Sequence, residues 1–225
     1  GIRIQRGDHI RVDGNIVRDT GAAGITANHQ SVLSYDDLWI TNNEVFNVNT
    51  LNQNFAGSAV YIGNANSGTV VTNSYIMNNY LHDLTTVQNY GIQMKDDSYN
   101  NTLAYNTIVS TSWPGIKVYG NNGNCKQNII DSNLIIKGGN AGNPNGPGGS
   151  GNAAGIEAED GMIIANNVII NSGFDAIAVR HKTGTSETGN VQIVHNTIIN
   201  AGSGANGIGS GIYASDFDKA TNMVI

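Results

Sequence analysis

One frame, apolar-x-x-Asn-x-apolar, occurs seven times in this chain, with its asparagines at Asn15, Asn43, Asn79, Asn106, Asn133, Asn167 and Asn196. The intervals are 28, 36, 27, 27, 34 and 29 residues. Self-similarity at a period of roughly 20–50 residues marks stacked repeats. A second motif, small residue, apolar, x, apolar, precedes each frame after the first. It reads Gly24-Ile25-Thr26-Ala27, Ala59-Val60-Tyr61-Ile62, Gly91-Ile92-Gln93-Met94, Gly115-Ile116-Lys117-Val118, Gly155-Ile156-Glu157-Ala158, Ala176-Ile177-Ala178-Val179 and Gly211-Ile212-Tyr213-Ala214, and Gly1-Ile2-Arg3-Ile4 opens the series. Apolar residues two apart belong to strands, not helices. Short strands joined by turns, in rungs stacked about 4.8 Å apart, would bring equivalent residues into columns. An asparagine at the same turn of every rung bonds its amide to the rungs above and below and tolerates the left-handed backbone of a sharp bend. The expected fold is all-β: a parallel solenoid of about eight rungs with an asparagine ladder, one domain over residues 1–225.

Composition agrees. Ile (27) and Val (16) far outnumber Leu (7), and 34 Asn and 29 Gly supply the turns, the balance of short strands. With 12% charged residues and a net charge of −6, the chain is neither a disordered polyelectrolyte nor a basic nucleic-acid binder. Cys125, the only cysteine, has no disulfide partner within the chain. No apolar run approaches the roughly 18 residues of a membrane span. Gly1 enters the repeat directly and Met223-Val224-Ile225 stops mid-strand. Both ends therefore read as cuts through a longer repetitive protein, and an extracellular or cell-surface location is a separate expectation. Lys137–Ala153 (KGGNAGNPNGPGGSGNA) is expected as a loop insertion, either a wall over a groove or a tolerated surface insertion, with milder insertions at Asn47–Gly57 and Ala201–Ser210 along the same edge.

These columns resemble the right-handed parallel β-helix of the pectate-lyase-like superfamily, from which the handedness is taken. With the apolar positions inside, alternate residues of the Gly-Ile strands face outward. One outward column runs Arg3, Thr26, Tyr61, Gln93, Lys117, Glu157, Ala178, Tyr213, and the next Gln5, Asn28, Gly63, Lys95, Tyr119, Glu159, Arg180, Ser215. Lys95, Asp96, Lys117, Tyr119, Glu157, Glu159, Asp160, Arg180, His181 and Lys182 then fall on four consecutive rungs of one face. Glu157 and Glu159, two apart on a strand, point to the same side and repel unless a cation or a Lys or Arg lies between them. They suit a hard cation such as calcium, with Asp160 as a further ligand.

Glu157-Ala158-Glu159 followed one rung later by Arg180-His181 resembles the family-6 polysaccharide lyases, the alginate lyase and chondroitinase B group. The resemblance implies β-elimination on an anionic, uronate-containing glycan, with calcium on the glutamates and Arg180 in catalysis. Such a lyase removes the C5 proton while metal or Arg neutralises the uronate carboxylate. The family's base, a Lys just after the second Glu, has no counterpart in Asp160-Gly161-Met162-Ile163. The role falls to Lys117, with Lys182 and Lys95 as alternatives. His181 completes the catalytic set, and Lys95, Tyr119 and Lys182 are the expected substrate contacts. A non-catalytic segment of an adhesin, fibre or tailspike remains the alternative, and a glycoside hydrolase or uronate epimerase on the same scaffold a third reading.

Overall fold

The computed structural model describes all residues except 32–33, 53–56, 65–67, 96, 120–127, 140–152, 160, 181–187, 205–208 and 216–219. Among the described residues three parallel sheets run along one axis. The first gathers the eight strands of the Gly-Ile motif, from Ile2–Arg3 through Ile25–Ala27, Val60–Ile62, Ile92–Met94, Ile116–Val118, Ile156–Ala158 and Ile177–Arg180 to Ile212–Ser215. The second sheet holds eight strands, Arg11–Asp13 to Ala220–Val224, and the third seven, Ile16–Thr20 to Thr197–Ile199. In the first sheet Ile25, Val60, Ile92, Ile116, Ile156, Ile177 and Ile212 stand in one register column. Their alternation with polar residues points them into a single core that also holds Ile40, Ile76, Leu103, Ile130 and Ile164 of the second sheet and Val45, Leu81, Ile108, Ile135 and Ile169 of the third. Two rungs carry an extra strand, Ser34–Asp36 paired with Val70–Thr72.

The asparagine ladder is continuous. Asn15, Asn43, Asn79, Asn106, Asn133 and Asn167 each donate Nδ2 to the Oδ1 of the next ladder asparagine at 2.9–3.0 Å. That Oδ1 also accepts the backbone N–H of the asparagine before it, as Asn106 does from Asn79 at 3.1 Å. Each inner Nδ2 caps a carbonyl of the preceding rung, Asn106 on Ile76 at 2.9 Å. Buried backbone groups at a sharp corner need such partners, because an unpaired one is costly. The left-handed conformation falls one residue earlier than expected, on Asn42, Asn78, Tyr105, Ser132, Asn166 and His195, whose φ angles lie between 54° and 57°. The ladder residue itself turns inward to bond, so the preceding residue absorbs the bend. A second ladder unforeseen in the sequence runs one corner earlier, from Leu38 N–H to Ser74 Oγ (2.9 Å), Ser74 N–H to Asn101 Oδ1 (3.0 Å) and Asn101 to Asn128 Oδ1 (3.1 Å).

The glycine of the Gly-Ile motif answers to packing. A Cβ on Gly115 would stand 2.7 Å from Ile135 Cγ2, and one on Gly155 would stand 2.5 Å from Ile169 Cγ2. The first sheet here approaches the third too closely for a side chain. Of the long insertion only Lys137–Gly139 and Ala153 are described; its remainder lies outside the described residues.

Candidate functional site

Strand pairing sets the site. Gln93 pairs with Tyr61 and Lys117, and Lys117 pairs with Glu157 on the following strand. The second outward column follows one step beyond, where Lys95, Tyr119 and Glu159 donate their N–H to Ile62, Met94 and Val118 of the preceding rungs. The expected columns therefore exist. Their exposure differs from expectation: Gln93, Lys117 and Glu157 keep only 5–6% of their surface, and Ala178 none.

Lys117 is the hub. Its Nζ lies 2.6 Å from Glu157 Oε1 and 3.3 Å from Glu159 Oε1, and 4.5 Å from the centre of the Tyr119 ring. Burial pulls this ammonium down, but the two carboxylates outweigh it and hold Lys117 above the ordinary lysine value. An ammonium between two carboxylates has no lone pair for a C5 proton, so this arrangement gives the base role expected of Lys117 no support. The cation that the paired glutamates require is here an amine from the preceding rung.

Tyr119 is enclosed by polar groups. Lys95 Nζ lies 4.0 Å from its ring centre and 5.7 Å from that of Tyr61, within cation–π range. Gln93 Nε2 lies 3.4 Å from the Tyr119 hydroxyl, and Ser58 Oγ donates to Gln93 Oε1 at 2.8 Å. The Tyr90 side chain lies beside Tyr119. Burial first, then Tyr119, pushes Tyr90 above the ordinary tyrosine range. Ser58, Tyr90 and Gln93 were not singled out in the sequence, although Gln93 stands beside Lys117 in the same column. Toward the N-terminal rungs, Arg3, Thr26, Asn28 and Tyr61 line an open cleft of about 450 Å³ on this face.

The backbone of Arg180 closes the strand Ile177–Arg180, one step past the Ala158–Val179 pair and so one rung beyond Glu159. Asp96, Asp160, His181 and Lys182 lie outside the described residues. His29 is tied into a local turn, its Nδ1 accepting the Ser31 N–H at 3.2 Å. Among the described residues no three His, Cys, Asp or Glu side chains gather to hold a metal ion. Calcium takes six to eight oxygen ligands, whereas the described part of this site offers two carboxylates with an ammonium between them. The described donor set does not fit calcium, and no chemical step is derived through it.

A family model described as the right-handed β-helix region matches residues 1–144. Crystal structures of the periplasmic alginate epimerase AlgG and of a single mutant of it are similar over 97% of this chain, at 17% identity and TM-scores of 0.54 and 0.55. A double mutant of that enzyme matches over 93% of the chain, at 16% identity and a TM-score of 0.54. The chain spans 46% of the length of each of those solved chains. At such identity the likeness is one of fold. No curated protein sequence matches the chain. No helix among the described residues is long and apolar enough to cross a membrane.

Proposed function

Because the chain belongs to the right-handed β-helix family, we propose that the outward face of its first sheet binds an acidic, uronate-containing polysaccharide and abstracts the C5 proton of one uronate. The observation that carries this reading is the buried Lys117–Glu157 pair, with the half-buried Glu159 beside it, on a face where a scaffold needs only solubility. A buried ion pair often stabilises no better than apolar residues of similar volume, and the same column holds a buried alanine, Ala178, one rung later. Buried charges held at such a cost gather at working sites. The alginate epimerase that shares the fold makes alginate the first polymer to test. It also supports a location outside the cytoplasm.

In this reading the Lys95 ammonium opposes the uronate carboxylate and receives the charge that develops as C5 loses its proton. Tyr119, in its ionised form, takes that proton, and its ring is set by Gln93, Tyr90 and the two lysines. Lys117, doubly paired, positions Tyr119 and is not the base. Arg180, one rung beyond Glu159, supplies a second cation for the glycan. Breaking of the C4–O4 bond as the C4–C5 double bond forms, with O4 taking a proton from Tyr119 or water, completes a lyase reaction, whereas return of a proton from water to the opposite face of C5 completes an epimerisation. Both begin with the same step.

The test follows that step. Alginate and a panel of other uronate polymers are incubated with the protein in D₂O. C5 deuterium is read by NMR and unsaturated uronides by ultraviolet absorbance. We expect C5 deuterium uptake or unsaturated uronides, either of which is lost in Lys95→Ala and Tyr119→Phe. Absorbance together with chain cleavage assigns a lyase, and uptake in uncut chains an epimerase. The absence of both deuterium uptake and ultraviolet absorbance on every polymer overturns the reading. Glycan binding that survives with neither uptake nor absorbance supports the second reading, a non-catalytic surface segment, which the doubly held Lys117 favours.

A further inference from the structure

We infer that the cleft lined by Arg3, Thr26, Asn28 and Tyr61 is a distal subsite for a further uronate of the same glycan chain, about three sugars from the one at Lys95. This rests on the reading that the first-sheet face takes an acidic glycan, and adds where the chain extends and how long it must be. The cleft is open and measures about 450 Å³. Its polar side chains are uncommitted. Elsewhere polar side chains of this solenoid bond across rungs, Thr41 and Asn42 to Asp13, and Thr72 and Asn73 to Asp36. In the cleft the Arg3 guanidinium, the Thr26 hydroxyl and the Asn28 side-chain amide make no such bond among the described residues. A guanidinium fork matches a carboxylate, while a hydroxyl and an amide can each donate to or accept from sugar hydroxyls. The half-buried Tyr61 ring presents an apolar face suited to sugar C–H groups. Ala22 and Ala23 keep the edge of the cleft low.

Tyr61 joins the cleft to the rungs where the proton is taken. Its ring centre lies 5.7 Å from Lys95 Nζ, and strand pairing leads from Arg3 through Thr26 and Tyr61 to Gln93. Arg3 therefore stands three rungs before Lys95, about 14 Å at about 4.8 Å per rung. That exceeds the Debye length of about 8 Å in physiological salt, so the two cations act on different carboxylates. A pyranose lengthens a glycan by roughly the rise of one rung, so a chain touching both cations needs about four sugars. No Asp or Glu stands in the two outward columns between Arg3 and Lys95, whereas Glu157 and Glu159 follow beyond Lys117. A polyanion meeting a protein of net charge −6 is drawn to the locally positive stretch. The glycan accordingly extends from Lys95 toward Arg3.

Chain length supplies the test. Alginate dimers, tetramers and hexamers are titrated by calorimetry into the full chain carrying Tyr119→Phe, so that affinity is read without turnover. Arg3→Ala and Arg3→Glu are then added to that background, and neutral cello-oligomers of the same lengths serve as the comparison. We expect hexamers to bind about tenfold more tightly than dimers, and this gain to vanish in Arg3→Ala. Arg3→Glu should hold hexamers more weakly still, and high salt should shrink the gain in the background protein. The neutral oligomers are expected to show no gain that depends on Arg3. A gain that persists in Arg3→Ala overturns the inference, as does its absence from the background protein. A gain on neutral chains that Arg3→Ala removes equally overturns the assignment to a carboxylate. Failure of every alginate oligomer to bind overturns the underlying reading as well. An Arg3-dependent gain in a protein whose parent shows neither deuterium uptake nor ultraviolet absorbance upholds the subsite and removes only the proton abstraction.

Discussion

Two clusters in this molecule use the same ingredients on different sheets. On the first sheet Lys117 bridges Glu157 and Glu159 beside Tyr119. On the third, His82 bridges Glu44 Oε1 at 3.2 Å and Asp83 Oδ2 at 2.9 Å while its ring stacks on Phe46 (4.7 Å) and Tyr80 (4.2 Å). Each places a nitrogen base between two carboxylates, against aromatic rings, across adjacent rungs. They part in exposure. The Lys117 side chain is 7% exposed and its partners 6% and 13%, whereas His82 at 14% faces partners at 39% and 70%. Column stacking produces such clusters wherever the sequence places the right residues one period apart. Burial decides how strongly their charges act, because water and salt screen the exposed set.

The largest expected break in this comparison is Lys117→Met. It takes from Glu157 and Glu159 the ammonium they share and should destabilise by about 3–5 kcal/mol in urea unfolding. A loss under 1 kcal/mol would put Lys117 in the same class as His82. The pH dependence sharpens the point. Lys117 in the folded protein is raised above its reference value of 10.5. The stability it contributes is therefore fully present below that pH and drains away as pH rises through the folded value. The gap between parent and Lys117→Met should stay constant through the neutral range and narrow only above 10.5.

Asn106→Ala supplies an uncharged benchmark. It strips partners from the buried Asn79 N–H and Ile76 carbonyl and should cost about 2–4 kcal/mol, with no sensitivity to salt. His82→Ala should cost roughly 0–1 kcal/mol, a loss that fades in high salt. A loss as large as that of Lys117→Met would show that exposure does not separate the two clusters. The smallest effect belongs to His9, bonded to Asp37 at 2.8 Å. That hydrogen bond raises its titration above 6.5. In an NMR titration Asp37→Asn should bring it back down, with no resolvable change in unfolding.

Much of this was legible in the chain because parallel stacking turns a one-dimensional period into columns. The seven asparagines, the eight Gly-Ile strands and the alignment of Lys117 with Glu157 all followed from counting. The second ladder was harder to read, since it passes through Leu38 N–H, Ser74, Asn101 and Asn128, a mixture that no single residue pattern describes. Left-handed φ angles sit at Asn42, Tyr105 and His195 alike, so the bend is recorded by position and not by residue type.

What the sequence determined alone is which residues share a column and a face, since a two-residue period and a rung of about thirty leave little freedom in register. Burial was decided by the tertiary structure. Whether Lys117 meets solvent or two carboxylates depends on how neighbouring columns lean over one another, and the free energy of a charge depends on that surrounding far more than on its place in the chain.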